Sequence, residues 1–260
     1  MPRTARTLRT MPIVREVGRL PPRLIRRLLP AVAAVALAAG CTSPAAAPSP
    51  TPTTAPPTTP AATVAATASS SPSANPNVAP AIPAPAPVTL DAKTTALVVL
   101  DIINPTCSTR PACQASIPAL QALLKKARDA AVPVVYTNTA ATNAIVPEVA
   151  PAAGDVTVVP TNADKFNNPD FDATLKAKKV TTLLLVGTRS NGAVLYTAFE
   201  ANVRGYTVVV AIDGISGTIP FETTLAEWQM LNQPGFTNAD NKPLAEKLVT
   251  LSRGDLITFK

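Results

Sequence analysis

The chain has no histidine in its 260 residues. That removes the commonest general base and the commonest metal ligand together, so Ser-His-Asp hydrolysis and histidine-held zinc are both excluded. Aromatic residues are scarce, at 4% with a single tryptophan, and they are not interleaved with basic residues as base stacking on nucleic acid requires. An excess of positive charge is missing as well, once it is located. The formal charge of +7 comes from 23 Lys+Arg against 16 Asp+Glu, but Arg3, Arg6, Arg9, Arg15, Arg19, Arg23, Arg26 and Arg27 all precede residue 41, with Glu16 their only acidic neighbour. What remains carries 15 residues of each sign. Such a balance leaves no electrostatic footprint for DNA or RNA, and nucleic acid is excluded as a partner.

Cysteine is nearly absent too, with Cys41, Cys107 and Cys113 alone. The first stands at the end of a leader: an arginine-rich start, a 12-residue apolar run from Leu28 to Ala39, and then Leu37-Ala38-Ala39-Gly40-Cys41. The run is too short to span a bilayer as a helix. Small residues before the cysteine resemble a bacterial lipobox, which implies cleavage of residues 1–40 as a signal peptide and lipidation of Cys41. The alternative is an uncleaved helical anchor with a buried cysteine. Arg26-Arg27 leaves Sec and twin-arginine export both open. Lipidation would place the protein on the extracytoplasmic side of the cell membrane, held by its lipid. It would also leave Cys107 and Cys113 as an even pair in a compartment where they can join.

Charge of either sign is absent from Thr42 to Leu90, where the composition collapses to Pro, Ala, Thr and Ser. A segment of that kind cannot bury enough apolar surface to offset its ordering entropy, so residues 41–90 are expected to form a disordered tether. At about 3.1 Å per residue, its fully extended reach would be on the order of 150 Å. The Thr/Ser/Pro mixture also suits O-glycosylation.

Charge and periodicity return at Asp91, and residues 91–260 suffice for one domain. Apolar runs of strand length lie at Thr95 to Asp101, Pro133 to Tyr136, Val156 to Val159, Val180 to Val186 and Tyr206 to Ile212. Helical patterns run from about Ala112 to Ala131, with Ile117, Leu120, Leu123 and Leu124 at helical spacing, and again over Asn191 to Val203 and Thr223 to Leu231. Continuous rather than alternating apolar strands imply a sheet covered on both faces. The expected architecture is a three-layer α/β/α sandwich with a mainly parallel, Rossmann-like sheet of about six strands.

Ligands of such sheets bind beyond the carboxyl ends of the strands. Asp101 closes the first run, Gly187-Thr188-Arg189-Ser190-Asn191-Gly192-Ala193 follows the fourth, and Lys165 precedes it. The stretches Ala96 to Asn104 (ALVVLDIIN), Lys165 to Leu175 (KFNNPDFDATL) and Leu183 to Gly217 resemble the isochorismatase-like hydrolases, a family that includes cysteine amidohydrolases. The resemblance implies a catalytic triad of an aspartate, a lysine and a cysteine. Asp101 and Lys165 match the first two, while Ala193 stands at the position of the cysteine and cannot form a thioester. Ile103 replaces a glutamine usual in the family. The resemblance further implies a non-proline cis peptide between Thr188 and Arg189, an oxyanion hole from the backbone N–H groups of Arg189 and Ala193, and a pocket that includes Thr188, Ser190, Asn104 and Phe171. Arg189 could clamp an anionic ligand. Family metal sites rely largely on histidine, so neither a metal nor another cofactor is expected.

Cys107 and Cys113 bracket a short loop where the family has a substrate-facing segment. A disulfide there would stiffen one wall of the pocket; the alternative makes Cys107 a substitute nucleophile. Two functions follow. One is a pseudoenzyme binding a small molecule or a cell-envelope protein. The other is a cysteine-independent, isochorismatase-type hydrolase in which Asp101 acts as general acid with Lys165. Related domains often assemble through their helices, which also implies a homo-oligomer.

Overall fold

The structure, a computed structural model, describes residues 80–159 and 161–260. The segments expected to be a leader and a tether, with Cys41 between them, lie outside the described residues up to residue 79. In chain order the elements are β1 (Val88–Leu90), β2 (Thr95–Leu100), α1 (Asn104–Cys107), α2 (Pro111–Asp129), β3 (Val134–Thr137), β4 (Val156–Val158), α3 (Pro169–Ala177) and β5 (Thr182–Thr188). A π-helical turn, Ser190–Val194, then runs into α4 (Leu195–Val203). It is followed by β6 (Thr207–Ser216), α5 (Pro220–Leu231), β7 (Asn232–Gln233), β8 (Phe236–Thr237), β9 (Val249–Ser252) and β10 (Ile257–Phe259).

Six strands form the central sheet in the order β4-β3-β2-β5-β6-β9, with every pairing parallel. The apolar runs account for its burial. All six residues of β2 are buried, and their side chains alternate between two cores. Ala96, Val98 and Leu100 join Leu183, Leu185, Phe171 and Ala198 on one face. Leu97 and Val99 join Leu184, Leu120 and Leu124 on the other. Helix α2 therefore covers one face, and α3, α4 and α5 cover the opposite one. At roughly 1.5–3 kcal/mol for each large aliphatic side chain withdrawn from water, these two layers dominate the stability of the fold.

Helix α2 opens on Pro111 at its first turn and ends with Lys126 and Arg128 in its last, where cations complement the carbonyl end. It stops at Asp129 rather than Ala131 because Ala131 takes a left-handed φ of 58°. Strand β6 runs past Ile212 to Ser216 through an irregularity in its pairing with β5.

Two differences from the sequence expectation have a common cause. Residues 82–90 belong to the folded domain, not to the tether. β1 pairs with β10, Ala86 N donates to Leu251 O at 2.8 Å, and Ile82 packs on the core. The sixth strand, β9, is a four-residue edge strand held by β6. Both segments gain their hydrogen bonds from parts of the chain far away in sequence, so their own composition carries little signal.

Candidate active site

Numbered by appearance in the sheet, the strands run 3-2-1-4-5-6, and the order reverses between β2 and β5. A crevice opens beyond the carboxyl ends of two such strands. Asp101 follows β2 directly, with a left-handed φ of 52°, and the cis peptide Thr188–Arg189 closes β5. Gly187 lets them approach. Its φ is +136°, and a Cβ there would collide with the Leu100 carbonyl and lie 2.7 Å from the Leu100 Cβ.

Asp101 is held from two sides. Its Oδ1 accepts from Thr137 Oγ1 at the end of β3 (2.9 Å), and its Oδ2 accepts from Lys165 Nζ (2.5 Å). Lys165 is 0% exposed. Its ammonium also donates to Thr161 Oγ1 at 3.2 Å and to Asn162 O at 2.5 Å, so all three donors are used. Burial pushes the Lys165 pKa below its ordinary value, and the facing Asp101 carboxylate works against that shift. The lysine starts a 3-10 turn, Lys165–Asn167, whose entry is capped by Asp164 Oδ1 accepting from Phe166 N at 3.0 Å.

The turn after β5 is braced by the start of α5. Arg189 Nη2 lies 2.5 Å from Glu222 Oε1, and Glu222 Oε2 accepts from Thr218 N at 2.6 Å. The Thr218 N–H and the Arg189 guanidinium hold the Glu222 carboxyl below the usual range. Thr223 Oγ1 accepts from Gly217 N at 3.0 Å and meets Ser190 Oγ at 3.2 Å.

A cavity of about 440 Å³ lies between these segments, with Asp101, Thr188, Arg189 and Ala193 on its wall. Ala193 sits in the π-helical turn and is 5% exposed. Cys107 and Cys113 are joined in a disulfide with Cα atoms 5.2 Å apart, so neither carries a free thiol. No group of three or more His, Cys, Asp or Glu side chains that could hold a metal occurs among the described residues.

The isochorismatase domain model matches residues 95–240, more than half of the chain. The chain belongs to the isochorismatase family. Solved structures share the fold of this isochorismatase domain. N-carbamoylsarcosine amidase from Thermoplasma acidophilum is 21% identical over 62% of this chain and 97% of its own, with a TM-score of 0.52. An isochorismatase family protein from Burkholderia thailandensis is 21% identical over 66% and 97%, with a TM-score of 0.55. A pyrazinamidase/nicotinamidase from Streptococcus mutans is 18% identical over 55% and 99%, with a TM-score of 0.51. No curated protein sequence is significantly similar to this chain.

Within this isochorismatase domain the structure brings Asp101, Lys165, Thr188, Arg189 and Ala193 together and leaves three sequence candidates apart. Ser190 is fully buried, with its hydroxyl turned to Thr223. Phe171 is fully buried in the core, edge-on to Phe166 at 4.9 Å between ring centroids, because α3 turns that face to the sheet. Asn104 begins α1 and borders a different cavity, beside Cys107 and Val146. Lys165 acts from behind Asp101 and is not on the cavity wall. Sequence reading missed Thr106 in α1 and the loop residues Arg110, Thr139 and Asn162, which also line the cavity, whereas Asn191, which lines it from the π-helical turn, belongs to the segment already singled out after the fourth run. A signal existed for Arg110 alone, as the only charged residue between the two cysteines that follow Asp101.

Proposed function

We propose that this chain is an exported lipoprotein, anchored through Cys41, whose isochorismatase domain binds a small molecule or a cell-envelope protein at the Asp101–Lys165 cavity without cysteine-dependent hydrolysis. One observation carries the reading. A methyl group, that of Ala193, lines the cavity beside Asp101 where the family pattern calls for a nucleophilic thiol, and Cys107 and Cys113 are bridged. The lipobox-like Leu37 to Cys41 and the uncharged stretch after it support display on a tether outside the cytoplasm.

The intact ion pair favours a second reading. Asp101, held by Thr137 and Lys165, keeps a carboxyl at the cavity wall that could act as a general acid without any thiol. Turnover separates the two. The full chain, purified in mild detergent, is screened against amides, esters and vinyl ethers beside Asp101→Asn and Ala193→Cys. The binding reading expects no turnover by the native chain and amide hydrolysis only after Ala193→Cys. Native turnover that disappears in Asp101→Asn overturns it in favour of the hydrolase. For the anchor, radiolabelled palmitate should enter the native chain and not Cys41→Ser; equal labelling removes the lipoprotein assignment.

A further inference from the structure

Three charged side chains line the cavity, and two already have a counter-charge: Asp101 has Lys165, and Arg189 has Glu222. Arg110 has none. It makes no ion pair among the described residues, and its Nη1 is buried without a hydrogen-bond partner. A guanidinium nitrogen withdrawn from water without an acceptor is costly, and a ligand oxygen would relieve that cost. On the same wall, the Asn191 side-chain oxygen is also buried and unpartnered. The cavity thus offers one uncompensated positive charge and one unused acceptor.

The backbone at Arg110 is held in place before any ligand arrives. Arg110 N donates to Cys107 O at 3.1 Å, and Arg110 O accepts from Cys113 N at 3.0 Å and Gln114 N at 3.1 Å. Gln114 Nε2 ties back to Ser108 O at 2.8 Å, and the disulfide closes the loop. A backbone fixed in this way removes part of the ordering cost that binding at Arg110 would otherwise carry. A cavity of about 440 Å³ also falls within the roughly 300–1,000 Å³ typical of small-molecule sites.

We propose that Arg110 makes this cavity a site for a small monocarboxylate. The guanidinium takes the carboxylate, and Asn191 accepts from a hydroxyl or N–H on the same molecule. The proposal rests on the reading of the cavity as a binding site and adds the class of ligand and the residue that selects it. Because the paired charges cancel, net charge favours a single carboxylate over a neutral ligand. A planar guanidinium suits that group through paired hydrogen bonds.

The test uses the full chain in detergent with lactate, mandelate and N-acetylglycine, each beside its uncharged primary amide. Titration calorimetry and ligand-observed NMR give the affinities. In at least one pair the acid should bind about tenfold more tightly than its amide or better. Arg110→Gln should bring the acid down to the level of the amide while leaving the amide unchanged. Arg110→Lys should recover part of the difference. Lys125→Gln, which removes a remote surface charge, should leave the preference intact, and thermal melts establish that each variant is folded. Equal binding of acid and amide, or a preference that survives Arg110→Gln, overturns the role of Arg110 and leaves the binding reading standing. No binding of any of the six compounds at millimolar concentration overturns the monocarboxylate proposal, while the binding reading itself is overturned by native turnover that disappears in Asp101→Asn.

Discussion

Replacing Asp101 by asparagine tests the centre of the site through stability alone. The change keeps the side-chain shape and removes one charge, leaving the Lys165 ammonium, which is 0% exposed, without a counter-ion. Breaking a buried pair from one side costs about 3–5 kcal/mol. The lower end applies, because Thr161 Oγ1 and Asn162 O still accept from Lys165 and the Asp101 side chain keeps 9% exposure. With a urea slope of about 2 kcal/mol/M, a loss of about 3 kcal/mol moves the unfolding midpoint down by roughly 1.5 M. The pH dependence gives a sharper check. Burial already holds the folded Lys165 pKa below its ordinary 10.5, and removing the opposing carboxylate lowers it further. Between the folded value and 10.5 the unfolded chain binds more protons than the folded one, so stability rises with pH across that window. The window is wider in the variant, and its deficit should shrink from about pH 7 to about pH 9.5. Measurements stop there because Tyr136, pushed up to about 12 by burial, loses its stabilising contribution as pH climbs from 10 toward that value. A deficit under about 1 kcal/mol, or one that is flat or widens with pH, would refute the claim that Lys165 depends on Asp101.

Gly187→Ala should be among the most damaging single changes, above about 4 kcal/mol, because it places a Cβ against the Leu100 backbone at a φ of +136°; soluble yield and thermal melting read it, and a near-native melt contradicts the close approach. The double variant Cys107→Ser/Cys113→Ser should lose about 2 kcal/mol on the loop-entropy model, equivalent to a Tm lower by roughly 4–8 °C for a domain of this size. An unchanged Tm would show that the hydrogen bonds of that loop suffice without the bridge.

Much of the architecture is legible in local sequence. Thr95 to Leu100 and Leu183 to Val186 read as continuous apolar runs because both sides of the sheet are covered, and that pattern alone implies flanking helices and parallel crossovers. Asp101 and the Thr188 turn stand out in the sequence as polar residues closing those runs, and Cys107 and Cys113 as a closely spaced pair. Phe171 shows the limit of such reading. It belongs to a stretch with chemistry-bearing neighbours, yet helical phase directs it inward against Phe166.

Local periodicity dictates which residues leave water and where strands end. What meets across distance follows from packing in three dimensions. Lys165 reaches a carboxylate 64 positions away, Glu222 anchors Arg189 from α5, β1 finds β10 at the far end of the chain, and Arg110 comes to a cavity wall with no ion-pair partner among the described residues. Loop paths and side-chain directions depend on packing against remote segments, and no local pattern encodes that.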